Sequence, residues 1–151
     1  METNERFEAF TTAVIKAYKS INKIKSKEME KMGLKGNYAL FMFYLGKSAD
    51  GLTSVELCKL CNEDKAAVSR TVSELIETGL IEQNMGDGSK RYRNRLVPTE
   101  KGKEILEKVQ GAIARVVKRA SDGLTEEERD GFYKVFFLIT DNLVEICKTE
   151  V

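Results

Sequence analysis

The sequence predicts a mainly α-helical protein with one small β-hairpin, and three observations lead to this fold class. The 151 residues include a single proline, so little opposes helix formation. Apolar residues recur at spacings of three and four along most of the chain, as they do in amphipathic helices. A turn-rich segment at residues 86–91 separates two short runs with strand character. We expect a chain of this length to fold as one domain around a substantial core.

Two helices are predicted in the first third of the chain. The first covers about residues 5–32, and its apolar face consists of Phe7, Phe10, Val14, Ala17, Tyr18, Ile21 and Ile24. The second covers about residues 37–47. Its segment YALFMFYL is apolar on every side, which is typical of a buried helix.

Capping residues then mark a pair of short helices. Thr53 and Glu56 have the spacing of a capping box, which predicts a helix at residues 54–61. Asp64 is suited to cap the next helix, at about residues 65–78. The core-facing side of that helix is predicted to consist of Val68, Val72, Leu75 and Ile76.

A hairpin and two long helices complete the predicted elements. The hairpin pairs residues 80–85 with residues 92–97. Thr99 is suited to cap a helix at about residues 100–120, and a second capping box, at Thr125 and Glu128, starts a helix at about residues 126–148. Two short helices followed by a basic-tipped hairpin predict a winged helix-turn-helix, flanked by long N-terminal and C-terminal helices.

Composition argues against catalysis and against export. Histidine, the commonest general base, is absent, and no P-loop, nucleotide-binding fingerprint or catalytic pair of carboxylates is recognisable. We therefore expect neither an enzyme nor a bound cofactor. The sequence starts without the features of a signal peptide and has no apolar stretch of membrane-spanning length, so we expect a cytoplasmic protein.

The three cysteines, Cys58, Cys61 and Cys147, favour free thiols over a disulfide framework. The Cys58-x-x-Cys61 pair supplies two of the four ligands that a structural zinc ion needs, so no metal site is expected. Packing as small apolar residues is the favoured interpretation of this pair. Redox sensing by Cys58, Cys61 or Cys147 is the alternative.

The distribution of charge is more informative than the net charge of +1. The outward face of the helix at residues 65–78 carries small and hydrogen-bonding side chains, which suit a DNA major groove about 12 Å wide. The hairpin tip is basic, with no acid in residues 88–95, which suits a minor groove. The predicted DNA-binding residues are Lys65, Ala66, Ala67, Ser69, Arg70, Ser73, Lys90, Arg91, Arg93 and Arg95. The alternatives are a solvated helix face and an ordinary charged turn.

A series of short motifs has a recognisable order. The series consists of Leu52-Thr53 with Glu56-Leu57, Val68-Ser69-Arg70, Leu75, Gly79-Leu80-Ile81-Glu82 and Thr99-Glu100-Lys101-Gly102. With this series, residues 52–106 resemble the winged-helix core of the MarR family of transcriptional regulators. The flanking helices match the family's layout. The wing departs from it, because the family's Asp-x-Arg positions fall at Lys90 and Tyr92, and Pro98 stands where leucine is usual. Arg91 and Arg93 are the candidates to replace the family's wing brace.

The last predicted helix indicates a partner independently of the resemblance. One apolar stripe consists of Phe132, Val135, Phe136, Ile139, Leu143 and Ile146, and Tyr133, Phe137 and Val144 widen it. One side of the helix can pack within the chain, and the surplus predicts a second surface to cover it. Completion of a monomeric core is the alternative.

The resemblance implies a function and a domain organisation. Residues 34–98 would form the DNA-binding region, and residues 1–33 and 99–151 the dimerisation region. A homodimer would place two recognition helices about one DNA turn apart, on a pseudo-palindromic operator, and would act as a repressor. A small aromatic or lipophilic effector would bind near Tyr18, Tyr38 and Phe41, which otherwise are core aromatics. A thiol-based regulator and a winged-helix protein-interaction module without DNA binding remain alternatives.

Overall fold

The computed structural model describes residues 2–150 and is mainly α-helical, as the sequence predicts. Within these residues the helices are α1 (Thr3–Lys31), α2 (Tyr38–Lys47), α3 (Ser54–Cys61), α4 (Lys65–Glu77), α5 (Glu100–Ala120) and α6 (Glu126–Glu150). Strands β1 (Ile81–Gln83) and β2 (Leu96–Pro98) pair antiparallel, with Glu82 opposite Val97. The winged helix-turn-helix therefore consists of α3, α4 and the hairpin, which we call the wing.

The predicted helix caps are present. The Thr53 hydroxyl accepts a hydrogen bond from the Glu56 amide at 3.2 Å, and the Glu56 carboxylate accepts from the Thr53 amide at 2.8 Å. Thr125 and Glu128 make the same reciprocal pair at the start of α6. Asp64 accepts from the third amide of α4 at 2.8 Å. These side chains satisfy amides that have no acceptor within the helix, which fixes where each helix begins.

The chain divides into two compact units, and the boundary between Ala114 and Arg115 falls within α5. In the first unit, one hydrophobic core joins the end of α1, helices α2 to α4, both strands and the start of α5. Its buried residues are Met29, Tyr38, Ala39, Phe41, Met42, Leu45, Leu57, Cys61, Val68, Val72, Leu75, Leu80, Ile81, Leu96, Leu106 and Val109. This core sets the orientation of α4 and of the base of the wing.

A close backbone approach joins the start of α5 to the wing. Gly79 ends α4 with φ of 72°, a left-handed conformation that glycine adopts without strain. The Thr99 hydroxyl, at the start of α5, donates to the Gly79 carbonyl at 2.6 Å. A Cβ at Gly102 would collide with the Leu80 carbonyl oxygen. Only glycine allows α5 to start this close to the chain that enters β1.

The strands are shorter than predicted. The sequence predicts strands at residues 80–85 and 92–97, whereas the structure has Ile81–Gln83 and Leu96–Pro98. Residues Lys90–Tyr92 form a 3-10 turn, and Asn94 has φ of 59°. Neither conformation can continue a β-ladder, so the second strand starts later and includes Pro98.

One residue of the predicted core lies outside it. Val68, Val72 and Leu75 of α4 are buried as predicted, but Ile76 is 49% exposed. Ile76 is the residue next to Leu75, so the helical rotation of 100° per residue carries its side chain away from the core. The prediction for Ile76 was therefore wrong.

The second unit contains α6, in which no residue is buried. Its exposed apolar residues include Phe132, Tyr133, Val135, Phe137, Leu138, Ile139, Leu143, Val144 and Ile146. The sequence predicts that one side of this helix packs within the chain, but the single chain buries no residue of α6. In the first unit, α1 exposes Phe7, Val14, Ile15, Tyr18 and Ile21. Among residues 2–150, none of the helices combines the length and the apolar character needed to cross a lipid bilayer.

Candidate nucleic-acid interface

Helix α4 presents a polar face of short side chains and two cations. Its inward side, with Val68, Val72 and Leu75, is held by the core. The predicted outward residues Lys65, Ala66, Ser69, Arg70 and Ser73 are exposed, and Ala67 is half-buried. A helix with this face can approach another surface closely, because no bulky side chain projects from the centre of the face.

Two contacts, from Lys35 just before α2 and from Tyr38 at its start, hold the second half of α4. The Glu74 carboxylate accepts hydrogen bonds from Lys35 Nζ at 2.7 Å and from the Tyr38 hydroxyl at 2.9 Å. These bonds lower the pKa of Glu74, with the Lys35 ammonium as the larger cause. Burial, followed by Glu74, raises the pKa of the Tyr38 hydroxyl. Glu74 stays ionised at neutral pH and ties α4 to the start of α2.

The tip of the wing is a structured basic turn. Lys90, Arg91 and Arg93 are exposed. Within the described residues, neither Lys90 nor Arg93 takes part in an ion pair. The Tyr92 ring lies against Gly86, where a Cβ would overlap the ring. The two sides of the turn are thereby packed together, with the basic side chains projecting into solvent.

Arg95 has a different environment from the other three basic residues of the wing. Its guanidinium donates to the Gly51 carbonyl at 2.7 Å and to the Glu56 carboxylate at 3.2 and 3.4 Å. Its Nε donates to the Arg91 carbonyl at 2.9 Å, and the side chain is only 26% exposed. The pKa of Glu56 is lowered, first by the Thr53 amide and also by Arg95. Arg95 therefore links the wing to the capped end of α3.

A second link joins the wing to the turn before α3. The Arg91 guanidinium pairs with the Asp50 carboxylate, which raises the pKa of Arg91. The Asn84 side-chain amide donates to the Asp50 carbonyl at 2.8 Å. Of the two residues expected to replace the family's wing brace, Arg91 makes such a pair and Arg93 does not. Sequence reasoning missed Asp50 and Glu56 as partners, because 41 and 39 residues separate them from Arg91 and Arg95.

The three predicted effector-binding aromatics do not share one cavity. Phe41 and Tyr38 are buried in the core, whereas Tyr18 is exposed on α1. A cavity of about 360 Å³ lies between α1, α2 and α4, and Phe41 borders it whereas Tyr18 and Tyr38 do not. Its charged lining residues are Lys25, Lys35, Glu63, Arg70 and Glu74. This cavity and its polar lining were not predicted from the sequence.

The cysteine environments differ. Cys61 is buried, Cys58 is half-buried and Cys147 is exposed, and all three are free thiols. Burial, then Glu63 and Cys58, raises the pKa of the Cys61 thiol to about 11. A thiol in this state is a poor nucleophile at neutral pH and serves as a small core residue. Within residues 2–150, no group of three or more histidine, cysteine or acidic side chains is arranged to hold a metal ion.

Comparisons with known proteins agree with this geometry. The sequence model of the MarR family matches residues 32–91. The HTH-type transcriptional regulator BilQ of Clostridium symbiosum (strain WAL-14163) is 28% identical over 102 residues, which cover 68% of this chain and 69% of the relative.

Solved structures share the fold over nearly the whole chain. The transcriptional regulator PA3341 has a TM-score of 0.73 at 20% identity, over 90% of this chain and 98% of its own. A Listeria monocytogenes protein complexed with 26mer DNA has a TM-score of 0.70 at 19% identity, over 93% and 94%. Staphylococcus aureus MarR in complex with salicylate and kanamycin has a TM-score of 0.72 at 20% identity, over 93% and 94%. In sequence over residues 32–91 and in fold over nearly its whole length, this chain is similar to the winged helix-turn-helix transcriptional regulators of the MarR family.

Proposed function

We propose that this protein regulates transcription in the cytoplasm by binding double-stranded DNA in a sequence-specific manner. The observation that carries the proposal is the combination of the short-chained outward face of α4 with a basic, internally braced wing beside it. The DNA in the complex of the Listeria monocytogenes neighbour supports the same use of the fold here.

In this proposal α4 reads the major groove. Arg70 is suited to a bidentate contact with guanine or to a phosphate, and Ser69 and Ser73 to base edges or phosphates. Ala66 and Ala67 allow close approach and supply methyl groups for contact with thymine. Lys65, at the first position of the helix, is suited to a phosphate.

The wing supplies charge to the adjacent minor groove. We assign Lys90, Arg91 and Arg93 to the minor groove and to the phosphates that border it, because their side chains are exposed at the tip. Arg95 belongs to the same predicted set, but its guanidinium is engaged by Gly51 and Glu56. We therefore propose that Arg95 positions the wing and does not contact DNA.

We propose that the functional unit is a homodimer that represses transcription at a pseudo-palindromic operator. The exposed apolar residues of α1 and α6 support this, because a lone chain would leave them in water. A two-fold dimer would repeat the α4 and wing contacts on two half-sites. Occupation of such a site blocks access of other proteins to the same DNA, which favours repression.

A small molecule is proposed to modulate DNA binding. The cavity bordered by Phe41 is the candidate site, since Ala67, Arg70, Thr71 and Glu74 of α4 also line it. A ligand there would change DNA affinity only to the extent that it binds the free and DNA-bound conformations differently. Tyr18 and Tyr38 are outside this cavity and are weaker candidates.

The test starts with selection of bound sites from genomic DNA, followed by gel-shift titration of the selected operator. We expect Arg70→Glu combined with Arg91→Glu to abolish measurable binding, and wild-type binding to weaken steeply with salt as counterions are released. The matched control is Lys47→Glu with Lys59→Glu, which makes the same charge change at exposed positions outside the predicted DNA-binding residues and the proposed dimerisation region. Equal binding by both double variants, or salt-insensitive binding as expected of a protein-interaction module, would contradict the proposal.

A further inference from the structure

An open groove of about 550 Å³ lies between α3, α4 and the wing. We call it the strand groove. Ser54 and Val55 at the start of α3 form one side, Ile76 in the second half of α4 forms another, and Arg93 and Asn94 of the wing form the third. None of the predicted DNA-binding residues except Arg93 lines it.

The strand groove combines apolar walls with a polar rim that carries no acid. Val55 is 65% exposed and Ile76 is 49% exposed, although Val68, Val72 and Leu75 of α4 are buried. The exposed side chains of Ser54, Arg93 and Asn94 supply the polar rim. No aspartate or glutamate occurs among the described residues that line the groove, so its only full charge is positive.

The position of the groove limits what it faces when the protein binds DNA. Helix α4 in the major groove and the wing in the neighbouring minor groove would lie on either side of one sugar–phosphate strand. That strand must therefore cross the space between α4 and the wing. The strand groove is this space, and its positive charge and apolar walls match a chain of phosphates and deoxyriboses.

We propose that the strand groove holds one DNA sugar–phosphate strand, with Val55 and Ile76 packed against deoxyribose and Arg93 bound to phosphate. This inference rests on the proposed function and adds contacts that the polar face of α4 does not include. It also accounts for the exposure of Ile76. A sugar is the same in every nucleotide, so these apolar contacts add affinity without adding sequence preference.

The experiment measures binding of the full-length protein to two duplexes by fluorescence anisotropy over a range of salt. One duplex is the operator selected from genomic DNA, and the other has the same composition in shuffled order. The variants are Val55→Ser, Ile76→Ser and Arg93→Gln. The control is Leu60→Ser, because Leu60 is similarly exposed on α3 but does not line the groove.

We expect Val55→Ser and Ile76→Ser each to weaken binding about five- to tenfold, the loss expected when a few methyl groups no longer reach apolar surface. The loss should be equal on both duplexes and leave the salt slope unchanged. Arg93→Gln should lower the slope by about 0.9 for each wing that contacts a phosphate. Leu60→Ser should bind as the wild type does.

Three results would overturn the inference. If Val55→Ser and Ile76→Ser bound both duplexes with wild-type affinity, the groove would not contact DNA. If their affinity fell only for the operator, these side chains would contact bases and not deoxyribose. If Leu60→Ser lost as much DNA affinity as the groove variants, the loss would follow from replacing any exposed apolar side chain and not from the groove. These outcomes differ from failure of the proposed function, in which the wild-type protein itself binds neither duplex. Since the substituted side chains are exposed, equal thermal midpoints serve as the check on folding.

Discussion

Removal of the Arg95 side chain tests whether the wing is held by a brace or only by its two short strands. Arg95→Ala eliminates the hydrogen bonds to the Gly51 and Arg91 carbonyls and to the Glu56 carboxylate. Arg93→Ala is the matched control, because it removes the same side chain two residues earlier, from an exposed position without an ion pair among residues 2–150.

The expected magnitude follows from these contacts. A hydrogen bond contributes about 0.5–1.5 kcal/mol net, and water will partly replace Arg95 at the freed carbonyls, so Arg95→Ala should cost about 2 kcal/mol. Glu56→Ala should cost about 1.5 kcal/mol, of which the lost cap contributes about 1. Because the Glu56 side chain is 41% exposed, solvent screens its ion pair, and the coupling between the two positions should be about 0.5–1 kcal/mol. Arg93→Ala should cost less than about 0.5 kcal/mol.

The assay is urea unfolding at one fixed protein concentration, since association contributes to the apparent stability. The four proteins of the cycle (the wild type, Arg95→Ala, Glu56→Ala and the double variant) are compared, together with the control Arg93→Ala. The same proteins are then titrated with operator DNA. Arg95→Ala should weaken binding without changing the salt slope, whereas Arg93→Ala should reduce the slope. If the coupling energy between Arg95 and Glu56 were zero, or if Arg95→Ala and Arg93→Ala were equally stable, Arg95 would not act as a brace for the wing.

Three further outcomes follow from the structure. Gly102→Ala should destabilise the protein by about 1–3 kcal/mol in thermal unfolding, because the added Cβ forces apart the backbones at the start of α5; an unchanged midpoint would contradict the close approach. With Cys58 and Cys147 replaced by serine, Cys61 should react with a disulfide reagent at neutral pH at least about a hundredfold more slowly than in the unfolded chain, given its pKa of about 11; comparable rates would make it a sensor candidate. Since the folded-state pKa of Glu56 lies below the usual 4.5, its contribution is present at neutral pH and lost as the pH falls through the lowered pKa. The difference in urea midpoint between wild type and Glu56→Gln should therefore shrink on acidification, and a difference that grew would reverse the assigned sign.

Local chemistry was sufficient to predict the helices. The capping boxes at Thr53 and Thr125, and the cap at Asp64, depend on residues three positions apart, so their spacing is visible in the sequence. The periodicity of α4 likewise identified Val68 and Leu75 as core residues. Caps and helical periodicity are visible in the sequence because the interacting residues lie within three or four positions of each other along the chain.

What the sequence could not provide depends on residues that are distant along the chain. Arg95 is one of four basic residues in the wing, and nothing local distinguishes it from Arg93. Its role depends on Glu56, which the fold brings within 3.2 Å. Ile76 was assigned to the core because it is apolar and next to Leu75, but the width of the buried stripe depends on what packs against the helix. The ends of the strands were misplaced for the same reason, since the turn around Tyr92 is stabilised by packing against Gly86.

The exposed apolar surface of α6 has a consequence for the amount of protein that a cell must maintain. A helix with no buried residue in the single chain gains little from folding alone. Under the proposed assembly it is stabilised in the dimer, and the dimer concentration varies with the square of the free chain concentration. Newly made chains at low copy number would present Phe132, Phe137 and Leu138 to proteases until they met a partner. Abundance would then have a threshold, below which chains are degraded and above which they persist. The dose of the gene would in this way set the lifetime of its product as well as the occupancy of its DNA site.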